Sequence, residues 1–207
     1  RILRIGNRWK YWRNCDAYPR FTYEIGKIEM VENTGQKTRA TAAQGVARPF
    51  QAVSLEQILA KMRRGDAVRL LCVGDSITAG AGTTPDKRYW ILLQTLLRQQ
   101  FNNDKIIVEG WGIGGATLLD ALPWIDWMLG PEPPDLVTLM FGTNDCSCYE
   151  PAFFRGCLAQ FLDRVTVASN GKTALLPFAT LPGMQDYTTK TDPYAETVRQ
   201  FSQERKQ

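Results

Sequence analysis

The 207-residue sequence lacks histidine, contains only five cysteines, and has no apolar run of the roughly 18 residues that a membrane span needs. Without histidine, the commonest general base and metal ligand is missing. The cysteines have no second pair at zinc-site spacing and are too irregular for a disulfide framework, although one bridge from Cys146 or Cys148 to Cys157 fits the sequence. We therefore expect no bound metal and no membrane span.

The charge is also too small to indicate a polyanionic partner. The formal net charge is +4, with 44% hydrophobic and 22% charged residues, as in ordinary globular proteins. Basic residues cluster loosely in the first twenty positions without any nucleic-acid motif. We interpret them as a solvated surface and expect no nucleic-acid partner.

The first fifty residues differ in pattern from the rest. Aromatic and basic residues alternate there, and the stretch Phe21–Val31 predicts a strand or hairpin. We interpret residues 1–50 as an N-terminal β-rich extension, or the end of an accessory β domain. Residues 51–207 then form the main domain.

From residue 54 onward, strand and helix patterns alternate. A capping box, Ser54–Gln57, starts a helix. Alternation at this spacing predicts a mainly parallel sheet with helices on both faces. The predicted strands are Leu70–Val73, Lys105–Glu109, Asp135–Phe141 and Lys172–Ala179; the later helices are Lys87–Phe101, one from Ala116, one from Pro151, and Pro193–Gln207 with Asp192-Pro193 as its cap.

Three successive strands end in glycine-containing turns with polar groups. The first turn carries Ser76, the second Gly115 and the third Asn144. Taken alone, the Ser76 stretch favours an ordinary turn or cap serine over a nucleophile. Together, a hydroxyl and donors from the Ser76 and Gly115 backbone and the Asn144 amide are what acyl transfer requires for its oxyanion.

These blocks resemble the SGNH (GDSL-type) hydrolases. Gly74-Asp75-Ser76-Ile77, Gly115 and Gly142-Thr143-Asn144-Asp145 stand in that family's order. The resemblance implies a three-layer α/β/α fold with a flavodoxin-like sheet, a Ser76 nucleophile and no cofactor. It also implies an ester substrate, and we expect short acyl groups such as acetyl, including those on carbohydrate. Asp75 and Asp145 are expected to support the site.

One departure from that family concerns the base. The family's Asp-x-x-His block is absent, and serine at its free pKa is a poor nucleophile without an adjacent base. We expect that the segment with the last strand and this block is missing from the sequence. A binding module that cannot hydrolyse, and an acetyltransferase with the same site, are the alternatives.

Two further patterns allow other interpretations. Gly110-x-Gly112-x-x-Gly115 matches a dinucleotide-binding fingerprint, but it is not on the first βα turn and Asp135 begins the next strand instead of ending it. Several aromatic residues lie near the motif loops and could line an acyl or sugar site, although core packing is the commoner role. They are Trp90, Trp111, Trp124, Trp127 and Tyr149.

Overall fold

A computed structural model describes residues 53–181 and 187–205, together with the backbone of two short N-terminal strands. The chain forms two compact units, Arg1–Ala47 and Arg48–Gln207. In the first, β1 (Ile2–Ile5) and β2 (Arg8–Tyr11) pair antiparallel. The strand or hairpin predicted at Phe21–Val31 lies outside the described residues.

The second unit contains a parallel sheet of four described strands. These are β3 (Val68–Gly74), β4 (Ile106–Gly112), β5 (Leu136–Met140) and β6 (Ala174–Phe178). Their order is β4-β3-β5-β6, so the first strand of the sheet lies between the second and the third. This is the flavodoxin-like arrangement of an α/β fold, as the sequence predicted.

Helices cover both faces of this sheet. They are α1 (Leu55–Arg63), α2 (Ser76–Ala79), α3 (Tyr89–Phe101), α4 (Leu118–Ala121), α5 (Ile125–Leu129), α6 (Pro151–Ala168) and α7 (Tyr187–Arg205). Successive residues of a strand point to opposite faces. Leu71 and Val73 of β3 accordingly join a core with α4 to α7, whereas Leu70 and Cys72 join a second core with α1 and, half-buried, α3. The three-layer α/β/α prediction is therefore confirmed.

Two predicted helices match the structure closely. The Ser54 backbone N–H donates to Gln57 Oε1 at 2.8 Å, and Ser54 Oγ accepts from Gln57 N at 3.3 Å, which completes the capping box of α1. Helix α6 buries the whole predicted apolar face. That face consists of Phe154, Cys157, Leu158, Phe161, Leu162 and Val165.

The predicted start of the last helix is wrong. Helix α7 begins at Tyr187, so Pro193 lies inside it and Asp192 does not cap it. A proline inside a helix removes one backbone hydrogen bond. Burial of Tyr194 and Phe201, together with Val198 and Ala195, in the core beside α6 outweighs that loss.

Strand β4 extends three residues beyond its predicted end, through Gly110 and Gly112. A Cβ on Gly110 would lie 2.1 Å from the Trp90 indole nitrogen, and one on Gly112 would lie 2.0 Å from the Ala79 backbone nitrogen. Both glycines therefore permit close packing within a strand. Since they do not form a βα turn, the geometry that a dinucleotide fingerprint needs is missing.

The remaining expectations concern single residues. Cys146, Cys148 and Cys157 are free thiols, so none of them forms the bridge that the sequence allowed. Pro177 lies within β6, which is the outermost described strand on its side, where proline is tolerated. Among the described helices, none has the length and apolar character to cross a bilayer.

Replacing Gly112 with alanine should destabilise the fold, because the new methyl group would collide with the α2 backbone. We expect the free energy of unfolding to fall by about 3 kcal/mol, the upper end for overpacking. Chemical denaturation measures this. Gly114→Ala is the matched control, since a Cβ there meets nothing within 4 Å; equal losses in both variants would contradict the role of close packing.

Candidate active site

The carboxyl ends of three strands lie level with one another. Gly74 at the end of β3 pairs with Gly112 on β4 and with Met140 on β5. The loops that follow carry Ser76, Gly115 and Asn144, and they leave the sheet side by side. This edge is where open α/β sheets bind ligands.

The first loop turns sharply from β3 into α2. Asp75 is the N-cap of α2, and its buried carboxylate accepts a hydrogen bond from the Ile77 backbone N–H at 2.9 Å. Ser76 is the first residue of that helix and is half-buried. Gly74 makes the turn possible, because a Cβ there would lie 2.2 Å from Thr78 Oγ1.

Hydrogen bonds join the second loop to its neighbours on both sides. The Ile113 backbone N–H donates to the Gly74 carbonyl at 3.1 Å. From the other side, Asn144 Nδ2 donates to the Ala116 carbonyl at 2.8 Å. Gly115 lies between these two bonds, exposed and with a φ of +74° that favours glycine. Because an amide nitrogen carries two hydrogens, Asn144 retains one donor beyond its bond to Ala116.

Asp145 also links the third loop to the end of the second, at the start of α4. Its carboxylate is buried and accepts from the Leu118 N–H at 2.9 Å and from the Gly142 N–H at 3.1 Å. Burial raises the pKa of Asp145 to about 6, although the hydrogen bonds oppose the shift; the charge of Asp75 adds to it. Burial also raises the pKa of Asp75, against hydrogen bonds from Ile77 and Thr143. Both carboxylates thus accept hydrogen bonds that fix the loops.

Sequence reasoning missed several residues that order these loops. Thr117 and Asp120 form a capping box at α4, signalled in the sequence by the Thr-x-x-Asp spacing. Thr143 Oγ1 and Thr180 Oγ1 lie 2.8 Å apart and link the third loop to the segment after β6. No local sequence signal indicates that second contact, since the residues are 37 positions apart.

A metal centre has no support in the part of the chain that the structure describes. There, no group of three or more Cys, Asp or Glu side chains is arranged to hold a metal ion. The arrangement that does exist is a half-buried hydroxyl at a strand-to-helix turn, beside loops that carry backbone and amide donors. This arrangement is typical of acyl-transfer sites.

The solved structures that resemble this chain include esterases and a lipase/acylhydrolase. The SGNH-hydrolase family esterase AlinE4 is 24% identical, with a TM-score of 0.53 over 66% of this chain and 74% of that one. A psychrotrophic esterase, EstA from Pseudoalteromonas sp., is 19% identical, with a TM-score of 0.53 over 66% and 72%. The lipase/acylhydrolase from Enterococcus faecalis is 20% identical, with a TM-score of 0.55 over 67% and 73%.

A family model gives the assignment at the level of sequence. The model described as the GDSL-like Lipase/Acylhydrolase family matches residues 72–207. The chain therefore belongs to this family of ester hydrolases. A search of curated proteins found no match.

The link through Asp145 predicts a pH-dependent stability. A carboxyl whose pKa is raised from 3.8 to about 6 stabilises the fold fully below pH 3.8, and this contribution is lost as pH rises through 6. The Asp145→Asn side chain cannot titrate. Its NH2 group would also replace one of the two oxygens that accept hydrogen bonds from the Leu118 and Gly142 N–H groups, so that two donors would face each other. We expect the variant to be less stable than wild type at every pH, with the difference about 2 kcal/mol larger at pH 4 than at pH 8.

Urea denaturation at the two pH values measures that difference. Asp104→Asn, an exposed aspartate before β4, is the control and should keep the wild-type pH dependence. Parallel stability–pH curves for wild type and Asp145→Asn would show that Asp145 does not titrate as described.

Proposed function

We propose that the chain is a carboxylic ester hydrolase in which Ser76 forms the acyl-enzyme. The observation that carries the proposal is the pair of hydrogen bonds, Ile113 to Gly74 and Asn144 to Ala116, that holds three level strand ends together. The Ser76 and Gly115 N–H groups and the free hydrogen of Asn144 Nδ2 are the proposed oxyanion donors. A preorganised donor of this type contributes about 2.7–4 kcal/mol to transition-state stabilisation.

In the proposed reaction, Ser76 Oγ attacks the ester carbonyl carbon while its proton passes to a base. The carbonyl electron pair moves to the oxygen, which the donors stabilise. Collapse of the tetrahedral intermediate breaks the bond to the alcohol oxygen, which takes the proton from the base, and leaves the acyl group on Ser76. Water then gives a proton to the base and attacks the acyl carbonyl, and the carboxylic acid leaves as the base returns that proton to Ser76 Oγ. Helix α2 has only one turn, so its dipole adds little.

The proton acceptor is the component that this sequence lacks. The chain contains no histidine. Asp75 and Asp145 are buried, and their carboxylates accept backbone hydrogen bonds, so we assign neither as the base. We infer that a base from outside these 207 residues completes the site.

The proposed substrates are esters of short acyl groups such as acetyl, including acetylated carbohydrates. The second loop carries the small exposed residues Gly114 and Gly115. Their lack of side chains leaves room for a short acyl group. Transfer of the acyl group to another alcohol uses the same donors and needs only the exclusion of water.

The absence of histidine supports a second candidate function, a module that binds esters without cleaving them. Both candidates require the same donors. They differ in whether an added base restores turnover that depends on Ser76.

Added imidazole should therefore activate the wild-type protein toward p-nitrophenyl acetate. A positioned base contributes about 10²–10⁴-fold, and a diffusing one should recover part of that. We expect the imidazole-dependent rate to be at least about tenfold lower in Ser76→Ala, after subtraction of the reaction without protein. Release of p-nitrophenolate measures the rate.

Ser147→Ala is the matched control, because Ser147 is an exposed serine in the third loop. It should respond to imidazole like the wild type. Equal rates in Ser76→Ala and wild type would refute the nucleophile. A folded protein with no Ser76-dependent turnover at any imidazole concentration would favour the binding module.

A further inference from the structure

The helix that carries Ser76 is too short to hold its own position. Helix α2 has a single turn, Ser76–Ala79. Forming one isolated helical turn is unfavourable, because several backbone angles are fixed for very few hydrogen bonds. The position of the Ser76 hydroxyl therefore depends on the contacts that α2 makes with other elements.

Two side chains at the start of α3 contact Thr78, the buried residue of α2. The Trp90 indole Nε1 donates a hydrogen bond to the Thr78 carbonyl at 3.1 Å. The Tyr89 hydroxyl and Thr78 Oγ1 also lie 3.1 Å apart, within hydrogen-bond distance. Carbonyl groups in the last turn of a helix have no partner within it, and an unpaired buried carbonyl is costly. The indole thus supplies the partner that α2 cannot supply itself.

Two glycines of β4 allow this arrangement. A Cβ on Gly110 would collide with the Trp90 indole, and one on Gly112 would collide with the backbone of Thr78 and Ala79. The indole therefore contacts both the strand and the short helix. The Gly110-x-Gly112 pattern, which does not form a dinucleotide-binding turn, has its role in this packing.

Backbone hydrogen bonds connect Thr78 to Ser76. The Ala79 N–H donates to the Asp75 carbonyl at 3.0 Å, and the Ala81 N–H donates to the Ser76 carbonyl at 2.8 Å. Thr78 lies inside the turn that these two bonds close. A shift of the Thr78 backbone would therefore move Ser76 with it.

We propose that Trp90 and Tyr89 are positioning residues for Ser76. Both act through Thr78 and keep α2 in the orientation that presents the Ser76 hydroxyl to the ester. Misplacing a reacting group by about 1 Å can lower a rate about 100-fold. The effect on turnover rests on the proposed function, whereas the anchoring of α2 does not.

Hydrogen exchange, measured by mass spectrometry on peptides that cover residues 75–81, tests the anchoring. Trp90→Phe removes the indole N–H but keeps an aromatic ring, and Tyr89→Phe removes only the hydroxyl. We expect exchange over residues 75–81 to be at least about tenfold faster in Trp90→Phe and at least about threefold faster in Tyr89→Phe. Peptides from α6 should be unchanged. Trp127→Phe is the matched control, because Trp127 is 69% exposed and lies outside α3; it should exchange like the wild type.

The imidazole-dependent turnover of p-nitrophenyl acetate tests the effect on Ser76. We expect kcat to fall at least about tenfold in Trp90→Phe and at least about threefold in Tyr89→Phe, with KM within about twofold of the wild-type value. The assay temperature is one at which circular dichroism shows every variant to be fully folded. A merely structural role would then leave kcat unchanged, as we expect for Trp127→Phe.

Two results would overturn the proposal. One is unchanged exchange over residues 75–81 in both variants. The other is faster exchange with an unchanged kcat, which would show that the two side chains stabilise α2 without positioning Ser76. If Trp90→Phe does not fold, Tyr89→Phe decides both points.

The outcome is separable from that of the reaction. A wild-type protein without Ser76-dependent turnover would reject the hydrolase, and the exchange measurement alone would then retain or reject the anchoring of α2. Turnover that depends on Ser76 but not on Trp90 or Tyr89 would retain the hydrolase and reject the positioning role.

Discussion

A buried carboxylate between two backbone amides holds the candidate site together. Asp145 accepts hydrogen bonds from Leu118, the first residue of α4 after the second loop, and from Gly142 on its own loop. Burying a charge is unfavourable unless hydrogen bonds compensate for it, and the pKa of about 6 shows that they do so only in part. The same burial and bonding make this acid a poor candidate for a base. The carboxylates of Asp75 and Asp145 therefore hold the loops in place, and we do not assign either of them as the base.

Close backbone approach is the second constraint on the site. Gly74, Gly112 and Gly142 each occupy a position where a side chain would meet a neighbouring loop or helix. At Gly142 the φ of +129° adds a conformational reason, since L-residues rarely adopt it. The three level strand ends can lie side by side only because these residues have no Cβ. The proposed donors of the site thus lie where the packing of the sheet edge places them.

The sequence predicted the repeating elements well and the irregular ones poorly. Helix α6 followed from its apolar periodicity, and the four strands from short apolar runs between turns. The predicted start of the last helix at Pro193 and the predicted end of β4 at Glu109 were wrong, because tertiary packing outweighed the local sequence signals. Core packing, preferred for the aromatic residues near the motif loops, is wrong for Trp127, which is 69% exposed. The partners of Asp145 were also out of reach, since Leu118 lies 27 residues away.

The site separates binding from proton transfer. Every proposed oxyanion donor lies on one of three loops that hydrogen bonds fix to one another, and none of those bonds involves a base. The geometry proposed to stabilise a developing negative charge therefore does not depend on a proton acceptor. The proposed attack by Ser76 does depend on one, because a hydroxyl at its ordinary pKa is a weak nucleophile. The two proposed functions, cleaving an ester and only binding it, thus differ in the base and share the same fold and the same proposed donors.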